Sequence, residues 1–331
     1  MILAGDIGGS KTWLALFSSH NGQLEMIRQQ QFVSPGHDSL QAVIDIFLHD
    51  NEDGKLSSAC FGVPGAVING QCRTTNLPWT VSAAQLQQHL SLAQVSLIND
   101  LAAMAFGMLH LPDEDFIELN PDASQQTGNR AVIAAGTGLG EALLVWDGKH
   151  YLPVATEGGH SDFAPQTDQQ DALLRWLRKR YPEHVSYERI LCGDGTGHLY
   201  DFLRDNEFGA AAASIENLPT DADRGAAISA CALQQENALC VEALRLFIEI
   251  YAAEAGNLAL KSLALGGIYI GGGIAPKILR AINPAQFTDQ FTSKGRFSEM
   301  LRGIPVKLST NTQAGLIGAA WFAQQDNLIT G

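Results

Sequence analysis

Apolar and polar residues alternate in short blocks along the chain, and the blocks predict an α/β protein. Residues 1–4 and 13–17 are apolar runs of strand length, and Asp6-Ile7-Gly8-Gly9-Ser10 between them reads as a turn, so a hairpin opens the chain. A third strand is expected over 26–33. Leu40, Val43, Ile44, Phe47 and Leu48 recur at helical spacing, which predicts a helix. Residues 59–63 form an apolar run stopped by Pro64-Gly65. Ser82-Ala83-Ala84-Gln85 fits a capping box opening a helix to Leu90. A short strand over 95–98 runs into Asn99-Asp100, and helical character resumes over 101–109.

Near residue 130 the pattern starts again. Residues 131–134 and 142–146 are apolar, and Gly136-Thr137-Gly138-Leu139-Gly140 lies between them. Strand, glycine-and-hydroxyl turn, strand thus occurs twice, about one domain apart, and we read this as an internal duplication. Two facing copies would set two glycine turns on opposite sides of one cleft. Helices are expected over 172–180 and 241–265, a buried strand over 268–270 ahead of Gly271-Gly272-Gly273, and a closing helix over 314–324. The alanine-rich stretch 209–214 reads as a loop or an exposed helix.

Length and charge narrow the class. The 331 residues suit two domains of ordinary size. With 35 acidic against 21 basic residues and a formal charge of −14, the chain repels a nucleic-acid backbone, and no nucleic-acid partner is expected. Backbone N–H groups still bind a small anion locally. Five irregularly spaced cysteines without a CxxC pair read as thiols in a reducing cytosol. Met1 leads straight to Asp6 with no basic segment, and no apolar run reaches membrane-spanning length, so neither secretion nor a membrane partner is expected and a cytoplasmic location is.

Several segments carry chemistry. Glycines let a backbone approach phosphate closely, and the hydroxyls of Thr137 and Ser10 add donors. Asp6 adds an acid able to hold magnesium through water, although an Asx turn accounts for it equally well. No Gly-Lys-Ser/Thr ends either turn, so neither is a P-loop, and apolar strand sequence follows where a dinucleotide fingerprint needs a helix. Asn99 and Asp100 end a strand, where a carboxylate is well placed for catalysis. Glu157-Gly158-Gly159-His160 sets an acid and an imidazole around two glycines. No further ligands stand nearby for a metal, so no metal site is expected, and a polyol fits better. Glu188 alone reads as a solvated helix face.

Together these segments resemble the bacterial glucokinase family of the hexokinase and actin-like ATPase superfamily. The resemblance spans nearly the whole chain and rests on Gly5 to Ser10, Leu97 to Asp100, Gly136 to Gly140, Glu157 to Pro165, His184 to Leu191, Gly256 to Leu260 and Ile270 to Ile274, of which Glu157 to Pro165 is the most specific. It implies duplicated actin-like ATPase (ribonuclease H-like) α/β domains around a cleft. The boundaries expected are 1–109 plus 305–331 for a small domain and 110–304 for a large one. It implies ATP-dependent phosphorylation of the glucose 6-hydroxyl, with Mg2+ arriving on the nucleotide and a homodimer as the common assembly. Asp100 would be the base. Asn76, Asn99, Glu157, His160 and Glu188 would hold the sugar. Asp6, Gly8, Gly9, Ser10, Lys11, Gly136, Thr137 and Gly138 would line the phosphates, and Gly271, Gly272 and Gly273 would lie by the nucleoside.

The chain departs from the family pattern in places. The family's first turn continues Thr-Asn-x-Arg, whereas here Ser10-Lys11-Thr12-Trp13 brings the basic charge two positions early or leaves it absent from the phosphate site: Lys11 either reaches back to the phosphate in place of the arginine or is a solvated lysine beside the turn. Cys192 stands where serine is usual and Thr196 where leucine is usual. The zinc-binding cysteines of the related repressor and sugar-kinase group are missing. The alternatives are a fructose or mannose kinase, or a non-catalytic sugar-sensing protein. The latter wants a DNA-binding helix-turn-helix, for which no room is expected ahead of a strand beginning at Met1.

Overall fold

In the computed structural model, residues 1–49, 54–74, 77–124 and 126–330 are described. By contact the chain forms two units: Met1–Asp115 with Ala142–Ala155 and Asn311–Gly331, and Phe116–Glu141 with Thr156–Thr310.

The first unit is built on a five-stranded sheet in the order β3-β2-β1-β4-β7, where β1 is Ile2–Ile7, β2 Lys11–His20, β3 Gln23–Val33, β4 Ser58–Val63 and β7 Val95–Asn99. A two-stranded ribbon, β5 (Gln71–Arg73) with β6 (Thr80–Ser82), stands beside it. Strands β1 and β2 pair antiparallel, as do β2 and β3, while β1, β4 and β7 run parallel. The strand expected over 13–17 is longer at both ends because β1 and β3 satisfy its backbone on either side. The β1 sequence is apolar on both faces because both are covered. Leu3 and Ile7 join a core with the helices Leu40–Leu48 and Ala83–Leu90, while Ile2 and Ala4 join one with the helices Asp100–Met108 and Ala314–Thr330. The last two helices pack at backbone contact: a methyl added at Gly107 would lie 1.8 Å from the Ala314 carbonyl oxygen, and one at Gly318 equally close to that of Ala103.

The second sheet has the order β11-β10-β9-β12-β13-β8, with β8 Phe116–Glu118, β9 Arg130–Ala135, β10 Leu139–Trp146, β11 Tyr151–Ala155, β12 Gly267–Gly271 and β13 Val306–Ser309. Strands β9, β12 and β13 run parallel, and antiparallel β8 closes one edge. The helix expected over 241–265 is Ala238–Ser262. Asn237 moves its start forward by accepting from the Leu239 and Cys240 N–H groups at 2.9 and 3.3 Å, and Leu263 ends it in the left-handed conformation at φ 47°. Tyr251 of this helix donates its hydroxyl to the Ile133 carbonyl and accepts from the Ala135 N–H, each at 3.2 Å, which pins the end of β9. The alanine-rich stretch 209–214 runs into a short helix, Ala213–Glu216.

Candidate active site

In the first unit, Asp6, the first glycine turn and Asn99-Asp100 all emerge at the carboxyl ends of parallel strands, since β1 pairs Asp6 with Gly62 and β4 pairs Val63 with Asn99. That edge is where ligands of open α/β sheets bind. The turn is tight. The Gly8 N–H donates to the Lys11 carbonyl at 2.9 Å, and a methyl on Gly8 would lie at the same distance from that oxygen. Ser34 secures it from β3's far end, donating its hydroxyl to the Gly8 carbonyl at 2.7 Å and bonding the Thr12 hydroxyl at 2.9 Å. Ser10 and Lys11 stay exposed.

Asp6 has no cation within ion-pair distance among the described residues, and burial pushes its carboxyl up to about 6. A cation beside it would relieve that cost. Among the described residues no group of three acidic, histidine or cysteine side chains converges to cage a metal, so a magnesium ion at Asp6 would have to take its other ligands from a bound nucleotide and water.

Asn99 has a local task. Its Oδ1 caps the helix Asp100–Met108, accepting from the Leu101 and Ala102 N–H groups at 3.0 and 3.1 Å, and its Nδ2 donates to the Gly65 carbonyl at 3.3 Å. Asp100 is the first residue of that helix, half-buried, with Oδ1 accepting from the Leu101 N–H at 2.9 Å. Asn76 lies outside the described residues. Trp79, three positions on, is buried in the core, its indole N–H donating to the His37 carbonyl at 3.0 Å.

The second unit gathers the remaining candidates around the carboxyl ends of β9 and β12. The turn at Gly136-Thr137-Gly138 is closed by the Gly136 N–H on the Gly138 carbonyl at 2.8 Å, with Thr137 exposed. Next to it on the parallel strand is Gly272, at φ 83° and so close to Ala135 that a methyl would lie 2.3 Å from its carbonyl oxygen, so only glycine fits.

The Glu157 to Pro165 and His184 to Leu191 segments meet by backbone pairing. The Phe163 N–H donates to the Val185 carbonyl at 2.9 Å and the Tyr187 N–H to that of Ser161 at 3.1 Å, which draws the Glu157 to Pro165 segment beside the one ending in Glu188. Glu188 then touches both motifs: Oε2 accepts from the Leu139 N–H at 3.0 Å, and Oε1 stands 3.7 Å from His160 Nε2. Gly138 is glycine because the Glu188 carboxylate fills the space of a side chain, 2.5 Å from where a methyl would be. Gly158 and Gly159 are pressed on β10, where methyls would lie 2.0 Å from Glu141 Oε2 and from the Leu139 carbonyl oxygen. Glu157 and His160 are exposed at this turn.

Cys192 takes over the capping that a serine would provide, accepting the Gly195 N–H on Sγ at 3.3 Å at the start of the helix Gly193–Asp205. Sequence reasoning passed over Ser34, Thr156, Glu141, Tyr187 and Glu254. The local pattern around them is that of ordinary turn, strand and helix residues, and only the fold brings them under the motifs.

Solved structures similar to this chain include sugar kinases. Glucokinase from an Antarctic psychrotroph matches at a TM-score of 0.85 and 33% identity over 98% of each chain. A ROK family glucokinase from Streptomyces griseus, solved with glucose and AMPPNP, shares the fold at a TM-score of 0.64 and 19% identity, over 98% of this chain and 99% of that one. The mixed α/β architecture is thus that of the sugar kinases in the actin-like ATPase class. The glucokinase family profile matches residues 3–326, and a glucokinase from Nostoc sp. is 40% identical over 98% of each chain. The chain belongs to the glucokinase family.

Proposed function

We propose that this protein phosphorylates the 6-hydroxyl of glucose with the γ-phosphoryl group of ATP. The observation that carries the proposal is Glu188: one carboxylate lies against both the Gly136-Thr137-Gly138 turn and His160 of the sugar motif, at the sheet edge where Gly272 also emerges. A group that holds a sugar beside a phosphate-binding turn is what phosphoryl transfer needs, because positioning and charge stabilisation do most of the work. The relatives named glucokinase, and the Streptomyces griseus structure with glucose and AMPPNP, support this acceptor and this donor.

In this proposal Glu157, His160 and Glu188 hold sugar hydroxyls, and Asn99 adds its amide. Asp100 accepts the proton of the attacking hydroxyl late in transfer, so an ordinary carboxylate suffices. The turn amides at Gly9 and Ser10, with those at Thr137 and Gly138, take up phosphate charge, while Gly8 and Gly136 line the phosphates and shape their turns through hydrogen bonds within them. Lys11 adds a point charge, with less hold on orientation than an arginine fork. Asp6 would hold the magnesium ion that accompanies ATP, which neutralises phosphate charge when bound. Gly271 to Gly273 approach the nucleoside. The two sheets, each with three parallel strands flanked by an antiparallel hairpin arm, support an origin by duplication. A homodimer in the cytoplasm completes the proposal.

A matrix of donors (ATP, ADP, polyphosphate) against acceptors (glucose, fructose, mannose) tests it. Glucose with ATP is expected to give the highest kcat/KM by at least ~10-fold, the scale that loss of one buried hydroxyl contact produces. A preference for another pair, or no turnover with any, overturns it.

A further inference from the structure

The Gly256 to Leu260 run carries part of the family resemblance, yet the proposed reaction gives it no task. It lies in the helix Ala238–Ser262. Gly256 is accounted for by packing: a methyl there would lie 2.3 Å from the Phe291 carbonyl oxygen, so this helix and Pro284–Thr292 meet at backbone contact. Asn257 is half-buried, and its Nδ2 has two hydrogens and two acceptors. It donates to Glu254 Oε2 at 2.8 Å and to the Tyr187 hydroxyl at 3.0 Å. Glu254 is fully buried, stands three positions earlier on the same helix face, and is held on its other oxygen by the Lys261 ammonium at 3.0 Å. The amide is thus anchored on its own helix before it reaches Tyr187.

Tyr187 is where three motifs meet. It is 2% exposed. Its N–H donates to the Ser161 carbonyl at 3.1 Å and its ring meets that of Phe163 edge-on, with centroids 5.6 Å apart, which joins it to the Glu157 to Pro165 run. Its hydroxyl joins it to Asn257. The next residue is Glu188, in the middle of the one-turn helix Tyr187–Arg189. The Glu188 carboxylate has little room to wander. Its Oε2 takes the Leu139 N–H at 3.0 Å and lies 2.5 Å from where a methyl on Gly138 would be. Hydrogen bonds weaken steeply with length and angle, so a small tilt of this turn would release the contact.

We propose that Asn257 and Tyr187 are positioning residues: the bond from the long helix to the Tyr187 hydroxyl fixes the Tyr187–Arg189 turn, and through it sets the Glu188 carboxylate against Leu139 and beside His160. Neither residue touches the substrate in this arrangement. Their task is to hold a binding group within the narrow tolerance that it needs. The proposal rests on the assignment of Glu188 to glucose.

Two measurements on the full chain test it. Tyr187→Phe removes the hydroxyl and keeps the ring, and Asn257→Ala removes the amide from the other side. Hydrogen exchange of the Leu139 amide, read by NMR, follows the Glu188 contact without turnover. With Glu188→Ala as the reference for the lost contact, exchange at Leu139 is expected to quicken at least ~3-fold in Y187F and in N257A, toward that reference. Wild-type exchange there overturns the positioning role, and Y187F decides this alone if N257A fails to fold. Steady-state kinetics read the consequence as a double-mutant cycle. Y187F is expected to raise the glucose KM at least ~3-fold in the wild-type background and less than ~1.5-fold once Glu188 is alanine, because the hydroxyl then has no carboxylate to place. An equal rise in both backgrounds, as a general loss of structure would give, or no rise in either, overturns the proposal. If Glu188→Ala alone leaves the glucose KM unchanged, the sugar-site assignment itself fails, and the exchange at Leu139 still decides separately whether Asn257 and Tyr187 place Glu188.

Discussion

Asp100 is the residue proposed as the base. It opens a helix, and one oxygen takes the Leu101 N–H. Asp100→Asn keeps the size and removes the base, so kcat is expected to fall at least ~10²-fold while the glucose KM changes little. Steady-state kinetics with glucose varied check this, and near wild-type turnover would remove Asp100 from the role. Glu188 and His160 are expected to behave differently from each other. In the proposed arrangement His160 holds the sugar alone, so His160→Ala should raise the glucose KM by about 1–3 kcal/mol equivalent and leave the ATP KM near normal. Glu188 also accepts from the Leu139 N–H at the phosphate turn. Glu188→Ala is therefore expected to raise both KM values, and a change confined to glucose would show that the turn stands without it.

At the scale of elements, the helix Asp100–Met108 is tied to the site through its cap. Asn99 satisfies two of its free N–H groups with Oδ1. Asn99→Ala is expected to cost about 1 kcal/mol of stability, whereas Asn99→Ser keeps a capping oxygen and loses little. Both variants lack the amide, so both should raise the glucose KM if Nδ2 binds the sugar. Urea unfolding beside kinetics separates the two tasks: a KM that rises in the alanine variant alone would mean that Asn99 acts only by capping. The helix packs on Ala314–Thr330 through Gly107 and Gly318, where any side chain would strike a carbonyl oxygen, so the cap sits on an element with little freedom to shift.

Over the whole molecule, buried acids set part of the pH dependence of stability. Asp6 and Glu141 are raised by burial to about 6 and about 8, from ordinary values of 3.8 and 4.5. Above those ordinary values the unfolded chain releases protons that the folded chain keeps, so this contribution falls as pH rises, until the folded groups ionise. Asp201 has the opposite sign. Burial opposes its charge, but hydrogen bonds from Arg224 at 2.7 and 3.0 Å outweigh it and lower its proton affinity, so its contribution is lost on acidification. Glu141→Gln removes one term. Relative to wild type, its urea midpoint is expected to climb steadily from about pH 5 to about pH 8, and a pH-independent difference would place the Glu141 proton affinity in the ordinary range.

The local pattern determined a good part of this protein without help. The spacing of Leu40, Val43, Ile44 and Phe47 marks their helix because one face must be buried, and the helix is Leu40–Leu48. The glycine turns after β1 and β9 were legible because strands flanked them and turn chemistry is local. The family motifs named the candidates Asp100, Glu157, His160 and Glu188 for the same reason, as each sits in a short, specific run. Glu188 shows where that stops. By its own neighbours it is a solvated acid, and it becomes a contact of Leu139 and His160 through pairing between segments more than twenty residues apart. From the sequence, glycine at 138, 158 and 159 reads as room for the backbone to approach a ligand, yet a side chain is also excluded there by Glu188, Glu141 and Leu139. The Glu141 and Glu254 pair left no trace in the sequence at all. One acid lies in a strand, the other over a hundred positions later in a helix, and only the fold buries both.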